Sequence, residues 1–259
     1  MSRSTAGWTF GILAALGATA GPAHATPSTV MWAPSTPALQ SDRVLHLTYD
    51  TYFATDAAYP IDLGLTMGVL PFQQLQLELG VDVLYPTVGS DGPLDVPIYF
   101  NGKVGAPEDV YFQWQPAWSF GIYNLGIESE VTDYDILYGV VGKTLPKVGS
   151  LSIGGYYGLN DQLLVDVEGD AAQAGLLAGW FSQPIDVPLI DRLHLAADLQ
   201  TGKNSLGAVG AGLYAYITPA VDVLTGPVFF LEPDLQPGGN SWMWSVQLDV
   251  DLDFKPNES

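Results

Sequence analysis

The chain of 259 residues carries 28 acidic and 8 basic residues, a formal net charge of −20, and no Cys. An apolar fraction of 47 % excludes a disordered chain. The excess of acidic residues excludes a general nucleic-acid binder, because binding to phosphate backbones needs Lys and Arg. The lack of Cys excludes disulfides, Cys-ligated zinc, thiol catalysis and a lipid-modified N-terminal Cys.

The first 25 residues have the layout of a secretory signal peptide. Arg3 is the only charged residue, an apolar run covers residues 8–20, and residues 23–25 fit the small-x-small rule for cleavage. The alternative, a membrane-anchoring helix, needs about 20 apolar residues, which this run lacks. We therefore expect cleavage after Ala25. No later apolar run is long enough for a spanning helix, which leaves a periplasmic protein, a secreted protein or an outer-membrane β-barrel.

Residues 26–43 come next and are rich in Pro, Ser and Thr without periodicity, which predicts an extended N-terminal segment. From residue 44 to residue 254, apolar and polar residues alternate with period two, as in strands that have two unlike faces. The last of these stretches places Asp249, Asp251 and Asp253 on one face, which must meet water because unpaired carboxylates do not lie in a dry core. Residues 255–259 follow as a C-terminal tail.

Twelve alternating stretches predict twelve strands and no helix of useful length. Most are near ten residues, the length that a tilted strand needs to cross a bilayer, whereas strands of soluble proteins average about 5–6 residues. The predicted strands are Val44–Ala54, Ile61–Val69, Leu75–Val83, Leu94–Val104, Gln115–Leu125, Tyr134–Leu145, Leu151–Leu159, Gly175–Phe181, Arg192–Thr201, Leu206–Ile217, Val221–Leu231 and Val246–Phe254.

The predicted connections alternate between short and long, as in barrels with short periplasmic turns and long outer loops. Short links follow strands 2, 4, 6 and 10, and the one after strand 4 is predicted at Gly105–Asp109; longer links follow strands 3, 5, 7 and 11. The links after strands 1 and 8 break this pattern. Many aromatic residues lie near the predicted strand ends, which two interfacial belts would produce, although any β-sheet is enriched in aromatic residues.

Together these features resemble Gram-negative outer-membrane β-barrels of the porin-like kind, over about residues 44–254. The phrase Asp62-Leu63-Gly64-Leu65-Thr66-Met67-Gly68-Val69-Leu70-Pro71-Phe72 is also similar to a group of barrel proteins without an assigned activity. The resemblance implies a single antiparallel transmembrane β-barrel. One departure is that such barrels usually end on the aromatic residue, whereas Phe254 is followed here by five more residues.

The alternation predicts which charged residues line the lumen, if the apolar face points to lipid. Ten acidic against three basic residues would attract cations and repel anions. The alternative is a filled lumen in which these groups pair with one another, and a saline habitat would also explain the acidity. The predicted lumen residues are Asp50, Asp62, Glu78, Asp82, Asp95, Asp198, Asp222, Asp249, Asp251, Asp253, Lys103, Lys143 and Arg192.

Other chemistries have weaker support in the sequence. His46 and His194 each share a predicted face with an Asp, but no Ser stands in a nucleophile motif, so we expect no catalytic site and no cofactor. Asp166, Glu168 and Asp170 surround Gly169 as in some calcium loops, but the full twelve-residue pattern and the flanking helices are missing. A solvated acidic loop is the main alternative, so we expect no resident metal.

The sequence therefore predicts an outer-membrane β-barrel that acts as a passive, cation-preferring channel for small solutes. Its partners would be outer-membrane lipids and the solutes or cations themselves, with a homo-oligomer or a protein partner as open options. A non-conducting barrel that anchors a partner is the first alternative, and a soluble secreted β-sheet binding protein is the second.

Overall fold

The structure is a computed structural model that describes residues 29–57, 59–85 and 97–254. The predicted signal peptide, Asp95 and the C-terminal tail lie outside these residues. Within them the chain forms twelve strands, as predicted, and two single-turn 3-10 helices in the last loop. The strands are β1 Val44–Phe53, β2 Ile61–Gly68, β3 Gln76–Tyr85, β4 Ile98–Ala106, β5 Ala117–Gly126, β6 Ile136–Leu145, β7 Gly149–Gly158, β8 Ala174–Phe181, β9 Arg192–Gln200, β10 Ala208–Thr218, β11 Val221–Phe230 and β12 Trp242–Asp253.

All twelve strands belong to one closed antiparallel barrel. Each strand pairs with its neighbours in sequence, and β1 pairs with β12 in a register that runs from Val44 opposite Asp253 to Phe53 opposite Trp244. Closure gives every strand two partners, which is how a sheet satisfies its backbone polar groups in lipid. The predicted single barrel is confirmed.

The two ends of the barrel differ in their connections. We call the end where β1 begins and β12 ends the terminus end, and the opposite end the loop end. The shortest connections, 146–148 and 219–220, lie at the terminus end, and the longest that the structure describes, 159–173, lies at the loop end. The connection after β4 covers 107–116 and is longer than the predicted Gly105–Asp109, because the Gln115 side chain hydrogen-bonds the loop backbone before β5 begins.

The outer face of the barrel is apolar. Side chains that alternate outward, such as Leu65, Leu79, Phe120 and Ile153, are exposed along their strands. Exposed aromatic rings mark both ends, with Phe72, Tyr111, Phe112 and Trp114 at the terminus end and Phe53, Tyr85, Trp242 and Trp244 at the loop end. An apolar outer band between two aromatic girdles is the surface of a barrel that spans a membrane.

The described ranges 29–57, 59–85 and 97–254 contain two short helices, both in the last loop. None of the helices there is long and apolar enough to cross a bilayer.

The interior of the barrel is packed rather than empty. Residues 29–41, which we call the N-terminal segment, lie inside the barrel and are mostly buried. Three apolar clusters form where this segment meets the inner wall, around Met31 with Tyr214, around Ala33 with Tyr138, and around Trp32 with Phe230. The segment therefore supplies a core that the strands alone would not have.

Candidate functional site in the barrel lumen

One oxygen of Asp198, on the inner face of β9, anchors the start of the N-terminal segment. Its Oδ2 accepts hydrogen bonds from three successive backbone N–H groups, those of Met31 at 2.9 Å, Trp32 at 2.8 Å and Ala33 at 2.7 Å. Gln247 on β12 donates from Nε2 to the carbonyl oxygen of Met31 at 2.8 Å. Hydrogen bonds to a charged oxygen are among the strong ones, so this carboxylate holds the segment against the wall.

The segment then crosses the inner wall towards the start of β1. The hydroxyl of Ser152 on β7 donates to the carbonyl oxygen of Ser35, and the backbone N–H of Gln40 donates to Oε2 of Glu78 on β3 at 2.7 Å. Glu78 also forms a buried ion pair with Lys103 on β4, with 3.1 Å between Nζ and Oε1. The Glu78–Lys103 pair thus helps to hold the N-terminal segment against the inner wall. Because the two charges are opposite, they neutralise each other, and both are predicted lumen charges.

A second buried charge cluster lies where β1 meets β12. The Nδ1 atom of His46 is 2.6 Å from Oδ1 of Asp251, and its Nε2 atom is 3.7 Å from Oδ1 of Asp249. The Tyr214 hydroxyl donates to Oδ2 of Asp249 at 3.0 Å. Asp222, the cross-strand neighbour of Asp249, is buried beside them. This cluster holds more carboxylates than bases, so its charge balance depends on protons or on a cation from outside.

A cavity of about 340 Å³ remains between the N-terminal segment and the opposite wall of the lumen. Its floor includes His46, Glu78 and Lys103, and its upper part is lined by residues at the loop-end halves of the strands. The upper lining is rich in carboxylates and aromatic rings, namely Asp50, Asp62, Asp82, Trp32, Tyr52, Tyr59, Tyr99, Tyr123 and Tyr134.

Three carboxylates of this cavity stand on three adjacent strands. Asp50 and Asp62 are directly opposite each other on β1 and β2, and Asp82 on β3 is diagonal to Asp62 because it faces Gly64. Asp50 and Asp62 each have a buried Oδ1 atom with no hydrogen-bond partner among the described residues. Asp82 accepts a hydrogen bond from the side-chain amide of Asn101. Gly64 has no side chain, and the Thr48 hydroxyl and Oδ1 of Asp82 lie so close over it that a Cβ atom there would meet them at 2.2 and 2.8 Å.

The remaining predicted lumen residues have different surroundings. Asp253 lies on the inner face of β12 at the terminus end. Arg192, also near the terminus end, contacts Asp191 and lies 3.7 Å above the ring of Tyr216, so it does not reach the cavity. The placement of Lys143 in the lumen is wrong, because β6 turns Tyr138 and Val140 inward and Lys143 outward. Lys143 instead pairs with Glu108 and Asp109 in the 107–116 turn.

Two of the weaker candidates, Asp166 and His194, are each in contact with nearby backbone groups. Oδ1 of Asp166 accepts hydrogen bonds from the backbone N–H groups of Glu168 at 3.0 Å and Asp170 at 2.9 Å, which closes a tight loop. In the described part of the chain, no group of three or more His, Asp or Glu side chains is arranged to hold a metal ion. His194 Nδ1 lies 2.8 Å from the carbonyl oxygen of Ser182, and its ring packs against Phe181 and Tyr216.

The residues that sequence reasoning missed are those of the N-terminal segment, above all Trp32. Its indole N–H donates to the carbonyl oxygen of Leu206 at 2.8 Å, and its ring meets Tyr52 and Phe230 edge to face. An apolar Val-Met-Trp stretch at 30–32 inside an otherwise Pro- and Ser-rich segment was the available signal that this segment is buried.

Comparison with known proteins gives only distant likenesses. No protein-family model and no curated protein matches the chain. Among solved structures, it is similar to an outer membrane channel from Pseudomonas putida F1, with 11% identity over 83% of this chain and 97% of that chain and a TM-score of 0.49. It is also similar to the N-terminal β-barrel domain of Pseudomonas aeruginosa OprF, with 12% identity over 82% and 100% of the two chains and a TM-score of 0.24. Similarity at this level assigns no function to this chain.

Proposed function

We propose that this barrel is a channel of a Gram-negative outer membrane that passes small solutes and prefers cations. Its apolar outer band and aromatic girdles support a place in a membrane, and the signal-like first 25 residues support export across the inner membrane. The terminus end would face the periplasm and the loop end the outside, as in other barrels of this architecture.

The surplus of carboxylates in the lumen carries the proposed preference for cations. Lys103 is paired with Glu78, and Arg192 is paired with Asp191 outside the cavity. Within the described ranges, neither Asp50 nor Asp62 forms an ion pair with Lys or Arg. A narrow space with unbalanced negative charge concentrates cations and repels anions. We therefore propose that the barrel lets solutes pass and catalyses no reaction.

The N-terminal segment favours a second candidate function, a barrel that does not conduct. The segment fills the lumen on one side and is held by buried hydrogen bonds to β3, β7, β9 and β12. A barrel filled in this way would serve as a membrane anchor that presents its loops to a partner. Because the same segment narrows the lumen, the proposed channel should have a small conductance, below the conductance of a wide pore.

Single-channel recording separates the two functions. The protein isolated from outer membranes is placed in a planar bilayer with a KCl gradient, and the reversal potential reports the preference for K⁺ over Cl⁻. We expect steady current with a K⁺ preference that falls when Asp50, Asp62 and Asp82 are all changed to Asn. The matched control changes Asp161, Glu168 and Asp170 of the exposed 159–173 loop to their amides and should leave the preference nearly unchanged. A folded barrel without current would reject the channel, and an unchanged reversal potential in the lumen variant would reject the assigned residues.

A further inference from the structure

The lumen cavity, which extends from His46, Glu78 and Lys103 to the loop-end halves of the strands, has the features of a binding site. Its volume of about 340 Å³ falls within the range of roughly 300–1,000 Å³ that small-molecule sites occupy. It combines apolar and aromatic walls with a few convergent polar groups, which is the usual composition of such sites. We propose that this cavity binds a short aliphatic diamine, an inference that deepens the proposed function by naming the class of solute.

The first ammonium group would lie between Asp50 and Asp62. In an antiparallel pair, residues directly opposite each other have Cβ atoms about 4.5–5.5 Å apart, and like charges at that distance destabilise the sheet. Asp50 and Asp62 are such a pair, and each keeps a buried Oδ1 atom without a hydrogen-bond partner among the described residues. An ammonium group carries three donors and one positive charge, so in the cavity that both residues line it would relieve the repulsion and donate to their carboxylates.

The second ammonium group would lie at Asp82. Diagonal neighbours on adjacent strands lie about 7–8 Å apart, so the centre at Asp50 and Asp62 is separated from Asp82 by about the length of a short carbon chain. Asp62 and Asp82 are diagonal neighbours, with Gly64 between them. A Cβ atom at Gly64 would come within 2.8 Å of Oδ1 of Asp82 and 2.2 Å of the Thr48 hydroxyl oxygen, so glycine at this position lets the Asp82 carboxylate lie over β2, close to Asp62.

The walls of the cavity suit the carbon chain of such a ligand. Trp32 and Tyr52 meet edge to face with ring centroids 6.3 Å apart, and Tyr123 meets Tyr138 in the same manner at 5.5 Å. All four rings line the cavity. Aromatic faces bury methylene groups and also attract ammonium groups through their negative quadrupole. A neutral solute would leave the carboxylates unpaired, and an anion would be repelled by them.

Calorimetry on the full protein in detergent tests the proposal without any need for current. We expect 1,4-diaminobutane to bind, 1-aminobutane to bind at least tenfold more weakly, and 1,4-butanediol not to bind measurably. Asp62→Asn and Asp82→Asn should each weaken binding of the diamine at least tenfold, which corresponds to about 1.4 kcal/mol. The control Asp161→Asn, which removes an exposed carboxylate of the 159–173 loop, should bind as the unchanged protein does.

Several results would overturn the diamine site. They are equal affinity for the monoamine and the diamine, unchanged affinity in both lumen variants, or displacement of the diamine by equimolar Mg²⁺, which would indicate attraction to charge alone. If one variant fails to fold, the other carries the comparison. A barrel that conducts cations without binding the diamine would contradict this inference and keep the channel, whereas diamine binding by a barrel without current would keep the site and reject the channel.

Discussion

His46 and Asp251 join the first and last strands of the barrel through a contact of 2.6 Å between Nδ1 and Oδ1, and both side chains are almost completely buried. The two residues are cross-strand partners in the β1–β12 pairing that closes the sheet. Removing one member of a buried pair leaves the other without a partner, which destabilises proteins by about 3–5 kcal/mol.

We therefore expect His46→Leu to lower the free energy of unfolding by about 3 kcal/mol, the lower end of the range for a broken buried pair. Urea unfolding of the protein in lipid vesicles measures this change. Thr51→Val, on the same strand but on the outer face, is the matched control and should have an effect near zero. An equal decrease in the free energy of unfolding for the two variants would show that the His46–Asp251 pair does not stabilise the pairing of β1 with β12.

Loss of the Asp198 carboxylate should release the start of the N-terminal segment. Hydrogen bonds to a charged group contribute about 1.5–3 kcal/mol each. The backbone amide hydrogens of residues 30–33 should therefore exchange with solvent about tenfold faster, or more, in Asp198→Leu. Asp198→Asn keeps one acceptor oxygen and should show a smaller increase. Hydrogen exchange followed by mass spectrometry measures both variants. The same slow exchange in the Leu variant and the unchanged protein would contradict the anchoring role.

Gly68 should not tolerate a larger residue. A Cβ atom there would lie 2.0 Å from the carbonyl oxygen of Ser41, so the segment backbone would have to move. We expect Gly68→Ala to destabilise the barrel by about 1–3 kcal/mol, as overpacking does. Gly102→Ala is the control, because its Cβ atom would find only an ordinary contact with Leu79 at 3.4 Å. Urea unfolding midpoints of the two variants give the comparison, and equal midpoints would show that the segment yields easily.

Lys143 should hold the 107–116 turn in a pH-dependent manner. A hydrogen bond from its ammonium group at 2.8 Å lowers the pKa of Asp109 below the ordinary value. A carboxyl whose pKa is lower in the folded protein stabilises it above the unfolded pKa, and that contribution disappears as pH falls through the folded pKa. Lys143→Gln should therefore speed amide exchange in the turn at neutral pH.

In acid, the turn of Lys143→Gln and that of the unchanged protein should exchange at nearly the same rate once the intrinsic pH dependence is corrected. Lys147→Gln, which changes the exposed Lys of the neighbouring 146–148 turn, is the control. An effect of Lys143→Gln that persists unchanged at low pH would show that the cation acts through packing on Trp114, 5.7 Å away, rather than through Asp109.

The strands could be predicted from the sequence because lipid and a polar interior impose opposite demands on alternate residues. The carboxylates of β1, β2 and β3 follow this rule and lie on the inner face. The rule fails on β6, where Ile136, Tyr138 and Val140 point inward and pack in one cluster with Ala33 of the N-terminal segment. An inner wall covered by an apolar segment has no need of polar residues, so on β6 the apolar residues face inward and Lys143 faces outward.

The contacts of the N-terminal segment could not be predicted for a different reason. The segment has no periodicity, and its partners are distant in sequence, on β7, β9 and β12. The three carboxylates of the cavity could be assigned to the lumen, but their grouping depends on the registers of β1 with β2 and of β2 with β3. Single-sequence alternation fixes the face of a residue and leaves its cross-strand neighbour undetermined.

The long sequence separation of these contacts bears on how the protein is made. Ala33 meets Asp198 165 residues later in the chain, and Met31 meets Gln247 216 residues later. The segment is therefore synthesised and exported first, yet it receives its last hydrogen-bond partner only when the twelfth strand has arrived. A chain truncated before β9 would keep the partners on β3 and β7 but lack Asp198, which holds residues 31–33. Seating of the segment is therefore complete only in a chain that includes its last strand, because Gln247 on β12 supplies the hydrogen bond to the carbonyl oxygen of Met31.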